Sequence, residues 1–135
     1  MPEVNLIAVL VCGIVSMLLG GIWYSPLLFG KRWQAEVGLT EEQLASGNMA
    51  MIFGSAFVLS LIAAYVFGMF LGQEMSLAAS TAAGAAAGVC WVAAAFGINY
   101  LFERKSLGLW LINGGYHALQ FTLFDFILGH SGYFS

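Results

Sequence analysis

The chain has 135 residues, of which 61% are hydrophobic and only 8% are charged, and its formal net charge is −3. A mean hydropathy of +0.89 excludes a soluble globular domain, because too few polar side chains remain to cover a core. The weak negative charge, without a phosphate-binding loop or zinc-ligand spacing, argues against a nucleic-acid partner. The composition therefore predicts an all-α integral membrane protein whose main partners are lipids.

Long apolar segments divide the chain into regular parts, each at or above the ~20 residues that cross a bilayer as a helix. They run approximately from Val4 to Tyr24, Met49 to Gly72, Leu77 to Phe102 and Leu107 to Leu128. We expect four transmembrane helices, arranged as two hairpins in a single domain over residues 1–135. No basic residue precedes the first segment, and Tyr24-Ser25-Pro26 is a poor cleavage site, so we expect a retained helix rather than a signal peptide.

The basic residues predict the orientation. All of them lie in the first and third connections, at Lys31, Arg32, Arg104 and Lys105. The positive-inside rule places such loops in the cytoplasm. We therefore expect a multi-pass protein of the inner (plasma) membrane, with both termini and the turn at Gln73–Ser76 outside.

The first connection should end the first helix and then lie along the membrane surface. Ser25-Pro26 disfavours further helix, because proline lacks a donor and restricts its predecessor. Phe29, Trp33 and Val37 recur every four residues, which is typical of a short amphipathic interfacial helix. The residues expected to anchor this segment at the lipid headgroups are Trp23, Tyr24, Phe29, Lys31, Arg32 and Trp33. A docking surface for a cytoplasmic partner is the alternative.

A second helix should begin after this interfacial segment. Thr40-Glu41-Glu42-Gln43 has the spacing of a capping box. We expect a helix from Glu41 that continues into the second span, with a kink at Gly47.

Small residues at four-residue spacing indicate where helices approach closely, since lipid gives no hydrophobic drive for their association. The expected packing residues are Gly13, Ser16, Gly20, Gly68, Gly72, Ser80, Gly84 and Gly88. The third segment is also rich in alanine, so we expect protein around most of it and a homo-oligomer. The alternative is that these residues serve only packing within one chain.

The fourth segment carries polar side chains on one helical face. Asn113, Tyr116, His117 and Gln120 share this face, and Asp125 lies to its side nearer the outer end. Such groups are costly against lipid and should point inward. The candidate intramembrane polar site comprises Asn113, His117, Gln120, Asp125 and Asn99. It is either a hydrogen-bonded network between helices or the lining of a pathway.

No cofactor or metal is expected. Cys12, Cys90 and His117 each lie near the middle of a segment, and thiol and imidazole groups can bind metals. Buried cysteine, however, usually behaves as a small apolar residue.

Two stretches resemble a known family. Trp23-Tyr24-Ser25-Pro26-Leu27-Leu28-Phe29-Gly30-Lys31, with Trp33 and Gly38-Leu39-Thr40 downstream, is similar to the signature of the Domain of Unknown Function 1761 family. Ile112-Asn113-Gly114-Gly115-Tyr116-His117 resembles the fourth helix of the same family. The resemblance covers essentially the whole chain and implies a small bacterial four-helix membrane protein, without implying a reaction or catalytic residues.

Two functions are compatible with these observations. The first is a non-enzymatic, self-associating membrane protein, because the small-residue segment favours association, and His117 and Asp125 in the fourth segment lie at different depths and make no catalytic pair. The second is a small-solute or ion transporter or channel with a polar pathway along the fourth helix.

Overall fold

The computed structural model describes residues 4–71 and 76–129, and these residues form helices without any β-strand. The helices are α1 (Leu6–Trp23), α2 (Gly30–Val37), α3 (Glu41–Ala45), α4 (Met49–Leu71), α5 (Leu77–Ala87), α6 (Ala94–Glu103) and α7 (Leu107–Gly129). A π-helical segment, Gly88–Ala93, joins α5 to α6. We call the continuous stretch Leu77–Glu103 the third long helix. The all-α prediction is confirmed.

The structure supports three candidate membrane spans, not the four expected. Within the described residues, the helices both long and apolar enough are α1, the Met49–Met69 part of α4 and the third long helix. The fourth helix, α7, exists and has 23 residues. It is absent from this set, because the polar side chains on one of its faces lower its hydropathy.

The first connection folds back tightly after α1, which ends at Trp23, before the Ser25-Pro26 pair as expected. The backbone N–H of Phe29 donates to the Trp23 carbonyl at 3.1 Å, and that of Gly30 donates to the Ser25 carbonyl at 2.9 Å. A Cβ atom on Gly30 would lie 2.3 Å from the Tyr24 carbonyl oxygen. Only glycine therefore fits this reversal without moving the backbone.

The capping box is confirmed, but the long helix expected after it is wrong. The Thr40 hydroxyl accepts from the Gln43 backbone N–H, and the Gln43 side chain accepts from the Thr40 N–H. Helix α3 then stops at Ala45. A new helix begins at Met49, since the side chain of Asn48 accepts from the Met51 N–H at 3.1 Å and caps α4.

Helix α7 packs against α1, α4 and the third long helix, and it runs antiparallel to the third long helix. A Cβ on Gly84 would lie 2.3 Å from the Phe121 carbonyl oxygen, and one on Gly88 would lie 2.7 Å from the Ala118 Cα. These two glycines let the helix backbones meet. A buried apolar cluster of the core comprises Ala8, Val9, Cys12, Ala64, Phe124 and Leu128. Three long helices thus pack against α7, the long helix that is not among the candidate spans.

Candidate functional site around helix α7

Gln120 is the centre of a hydrogen-bonded network that joins three helices. Its side chain is buried, and its Nε2 donates to the Ser16 hydroxyl of α1 at 3.1 Å and to the Ser60 hydroxyl of α4 at 3.3 Å. Its Oε1 lies 2.8 Å from Nδ1 of His117. Because the amide oxygen can only accept, the imidazole donates from Nδ1.

His117 contacts two aromatic rings in addition to its hydrogen bond with Gln120. Its imidazole stacks on Phe96 of the third long helix, with centroids 5.0 Å apart and an interplanar angle of 13°. Tyr116 meets it edge-on at 4.9 Å, and the Tyr116 hydroxyl donates to the Ser16 carbonyl at 3.1 Å. The imidazole of His117 therefore has a hydrogen bond at Nδ1 and aromatic contacts with its ring.

Asn113 forms a second polar contact, two turns closer to the start of α7 than Gln120. Its Oδ1 accepts from the Tyr24 hydroxyl at 2.6 Å, and its Nδ2 donates to the Tyr100 hydroxyl at 2.7 Å. Both ends of this amide are paired, as a polar group away from water requires.

Asp125 differs from the other candidates because its carboxyl group has no hydrogen-bond partner among the described residues. It is fully buried, with 0% of its surface exposed. It lies against Gly84 of α5, where a Cβ would be 2.6 Å from its Oδ2.

The remaining candidate, Asn99, is on the exposed side of α6 and is not brought to this site. The structure adds Ser60 and Tyr100, which sequence reasoning missed. Ser60 could have been singled out as a polar residue within the largely apolar α4 segment. The sequence alone does not show, however, which helix it contacts.

Cys12, Cys90 and His117, the side chains whose chemistry could bind a metal, do not form a common site. Cys12 is buried and its Sγ donates to the Phe124 carbonyl at 3.7 Å, whereas Cys90 is exposed. Among the described residues, no group of three or more His, Cys, Asp or Glu side chains could hold a metal ion.

Three polar residues, Arg32, Glu36 and Ser106, connect α2 to the beginning of α7, and we call this set the polar clasp. The Ser106 hydroxyl donates to Glu36 of α2 and accepts from the Leu109 N–H, so it also caps α7. Arg32 pairs with Glu36 through its Nε at 2.8 Å. The Ser106 hydrogen bond, followed by the Arg32 hydrogen bond, lowers the pKa of Glu36 below its ordinary value.

Most expected packing residues lie inside the bundle. Gly13 faces Leu61 and Phe57 of α4, Gly20 faces the Tyr116 ring, and Gly68 faces Val4 and Leu128. Ser16 and Ser80 are buried. The positions Gly72 and Gln73–Met75, which belong to the expected packing set and turn, lie outside the described residues.

Comparison with known protein families identifies the family of this chain. The model of a family described as Protein of unknown function (DUF1761) matches residues 7–129. The chain belongs to this family. Neither a curated protein nor a solved structure matches it.

In this member of the DUF1761 family, the two stretches that carried the resemblance touch one another. Trp23 Nε1 donates to the Ile112 carbonyl at 2.9 Å, one residue from the contact between Tyr24 and Asn113. Phe29 packs on the Trp23 ring at 4.7 Å, and Trp33 meets Tyr24 at 5.7 Å. The aromatic residues of the first motif therefore pack together beside the first two turns of α7. We also expect this motif to lie at the membrane surface.

Proposed function

We propose that the protein crosses the membrane four times, with α7 as its central span. The polar groups of α7 are directed at other helices, so the average hydropathy of this helix understates how apolar its outer surface is. On that outer side Leu111, Leu119 and Phe126 are exposed. A helix of 23 residues is also about 34 Å long, enough for a hydrocarbon core of about 30 Å.

The charge distribution supports an orientation with both termini outside. Arg104 and Lys105 lie just before Ser106, which caps α7, and Arg32 lies beside Gly108 in the first turn of α7. The basic residues of the first and third connections are therefore at one end of the bundle. Short loops that carry Lys and Arg face the cytoplasm, where Phe29, Lys31 and Trp33 would meet the lipid headgroups.

Within this membrane, the protein acts by associating with further copies of itself rather than by catalysing a reaction. The observation that carries this proposal is an open stripe of small side chains on the third long helix. The stripe comprises the exposed residues Ala78, Ala82, Ala86 and Cys90 at four-residue spacing. The opposite face, with Gly84 and Gly88, is already filled by α7 of the same chain. A helix of a second copy could approach the open stripe closely.

Cys90 provides a direct test, because it lies on the stripe and Cys12 is buried. Oxidising the protein in native membranes should give a covalent dimer through Cys90. The dimer should persist in Cys12→Ala and disappear in Cys90→Ala. Replacing Ala82 or Ala86 by Leu should reduce it several-fold, because a bulky side chain keeps the backbones apart.

A matched control distinguishes association from random collision. Leu119 is exposed on α7 at the depth of the Gly88–Ala118 contact, so Leu119→Cys in a Cys90→Ala background tests a different face at similar depth. This control should not crosslink. Equal crosslinking at positions 90 and 119, or a single copy per lipid nanodisc by mass measurement, would contradict self-association through the stripe.

A solute pathway along α7 is the alternative. The contacts of Asn113 and Gln120 favour packing instead, because their amide groups are paired with protein donors and acceptors rather than left for a solute. Cysteine at position 117, in a background without Cys12 and Cys90, should therefore not react with a membrane-impermeant thiol reagent added from outside. Rapid labelling would make the transporter or channel the leading function.

A further inference from the structure

Asp125 is the only aspartate in the chain, and its surroundings do not suit a charged carboxylate. It is completely buried, and within the described residues nothing donates a hydrogen bond to either oxygen. Burying an unpaired charge costs several kcal/mol even after relaxation. Hydrogen-bond donors or a nearby cation normally offset that cost.

Among the described residues, no lysine or arginine side chain lies near Asp125. All four Lys and Arg residues lie at the other end of α7, beyond Gly108. At 1.5 Å per residue, about 25 Å of helix separates Gly108 from Asp125.

The titratable groups on the packed helices do not compensate either. Helix α5 has none in Leu77–Ala87, and the only one on α4, Tyr65, is exposed. Helix α1 contributes the buried thiol of Cys12, which is neutral or negative and cannot balance a carboxylate. On α7 itself, His117 lies two turns away and is paired with Gln120.

The packing leaves little space for a metal ion. A Cβ atom on Gly84 would be 2.6 Å from Asp125 Oδ2 and 2.8 Å from its Cβ, so the carboxyl lies directly on the α5 backbone. Metal ions such as Ca²⁺ need about six or more oxygen ligands, each at its own distance. A proton needs only the carboxyl oxygen.

We propose that Asp125 is a proton-binding site, and that the contact between α5 and α7 is closed when the carboxyl is protonated and loosens when the proton leaves. Ionisation would place an unpaired charge against Gly84, and separating the helices would admit water to it. Asp125 lies about one turn before the described end of α7, so a proton from the outer end has a short distance to travel. This inference does not depend on self-association.

Because the chain has one aspartate, its carboxyl can be observed without any substitution. The protein would be made by cell-free synthesis with aspartate carrying ¹³C in its side-chain carboxyl and placed in lipid bilayers. Solid-state NMR should show a protonated carboxyl at neutral pH that converts reversibly to carboxylate in alkali. A carboxylate signal at neutral pH would overturn the proposal.

A second measurement tests the loosening of the helices. A Cβ on Gly129 would lie 3.4 Å from Cβ of Ser80, close to the Cβ separation of about 3.8 Å in a disulfide. Ser80→Cys with Gly129→Cys, in a background without Cys12 and Cys90, therefore reports the contact through its rate of disulfide formation. The same pair with Asp125→Asn is the control, since an amide has the shape of the neutral acid.

The two rates are compared at each pH, so that ionisation of the cysteines cancels. The rates of disulfide formation with Asp125 and with Asp125→Asn should be equal at neutral pH. As the pH rises and the NMR signal changes from carboxylic acid to carboxylate, the rate with Asp125 should fall several-fold below that of the Asp125→Asn control. Rates that stay equal while the carboxyl ionises would refute the effect on helix packing.

Discussion

At the scale of single residues, the polar side chains in the bundle satisfy one another across helices. Gln120 shows this best, because its Nε2 donates to α1 and α4 while its Oε1 accepts a hydrogen bond from His117 of the same helix. Asn113 does the same toward Tyr24 and Tyr100. Asp125 is the exception among the described buried side chains, because neither of its carboxyl oxygens has a hydrogen-bond partner.

Gln120→Leu should destabilise the bundle, because it leaves His117 and two serine hydroxyls without their partner. Interhelical hydrogen bonds in membranes contribute about 0.6 kcal/mol each on average, so the expected loss is about 1–2 kcal/mol. The measurement is the free energy of unfolding in detergent micelles. Asn99→Leu is the matched control and should cause little loss, since Asn99 is exposed on α6. Equal effects of the two substitutions would contradict the network.

Glu36 connects α2 to the beginning of α7 and makes stability depend on pH. Its pKa in the folded protein lies below the ordinary 4.5, first because of Ser106 and then because of Arg32. A carboxyl with a lowered pKa stabilises the fold above its ordinary pKa, and this contribution is lost as the pH falls through the folded pKa.

We therefore expect the unfolding free energy of the wild type to exceed that of Glu36→Gln at neutral pH and to converge with it in acid below pH 4.5. Arg32→Gln should keep part of this dependence, because the Ser106 hydroxyl remains. The check is a series of unfolding measurements across this range. If the difference in unfolding free energy between wild type and Glu36→Gln grew on acidification, the sign would be opposite to this expectation. The contacts of Glu36 with Ser106 and Arg32 would then not stabilise the fold.

At the scale of elements, the third long helix and α7 meet through glycine. A Cβ atom would lie 2.3 Å from a backbone atom of α7 at Gly84 and 2.7 Å from one at Gly88, and backbone cannot move as a flexible side chain could. Overpacking of this kind typically costs about 1–3 kcal/mol.

Gly84→Ala should thus destabilise the protein by about that amount. Gly54 on α4 offers the comparison, because a Cβ there meets nothing within 4 Å. Gly54→Ala should be neutral or stabilise by up to about 1 kcal/mol, as alanine is the better helix former. Thermal or detergent unfolding of the two variants is the check, and equal stabilities would show that α7 is not packed on Gly84.

Sequence patterns predicted the individual elements well but not their partners. The end of α1 at Ser25-Pro26 and the Thr40 capping box are local features, so a few neighbouring residues determine them. The face of α7 that carries Asn113, His117 and Gln120 could be expected from helical period. Which helices meet that face depends on tertiary packing, and so Ser60 and Tyr100 were missed. The break at Ser46–Asn48 was missed because the Asn48 cap competes with helix continuation.

At the scale of the whole molecule, the long helix that is not among the candidate spans is the one against which the other three pack. This arrangement explains why hydropathy identifies three candidate spans although the chain has a fourth long helix. The polar face of α7 is hidden from lipid by α1, α4 and the third long helix, while its other side exposes Leu111, Leu119 and Phe126. We therefore expect α7 to cross the membrane.

The number of spans determines whether the two ends of the chain lie on the same side, so reporters at both ends test this claim most directly. A reporter active only outside the cytoplasm and one active only inside would each be fused, in separate experiments, to the N-terminus and the C-terminus. Four spans with the basic loops in the cytoplasm predict that the outside reporter is active at both ends and the inside reporter at neither. Activity of opposite reporters at the two ends would mean an odd number of spans, and it would contradict the membrane crossing of α7.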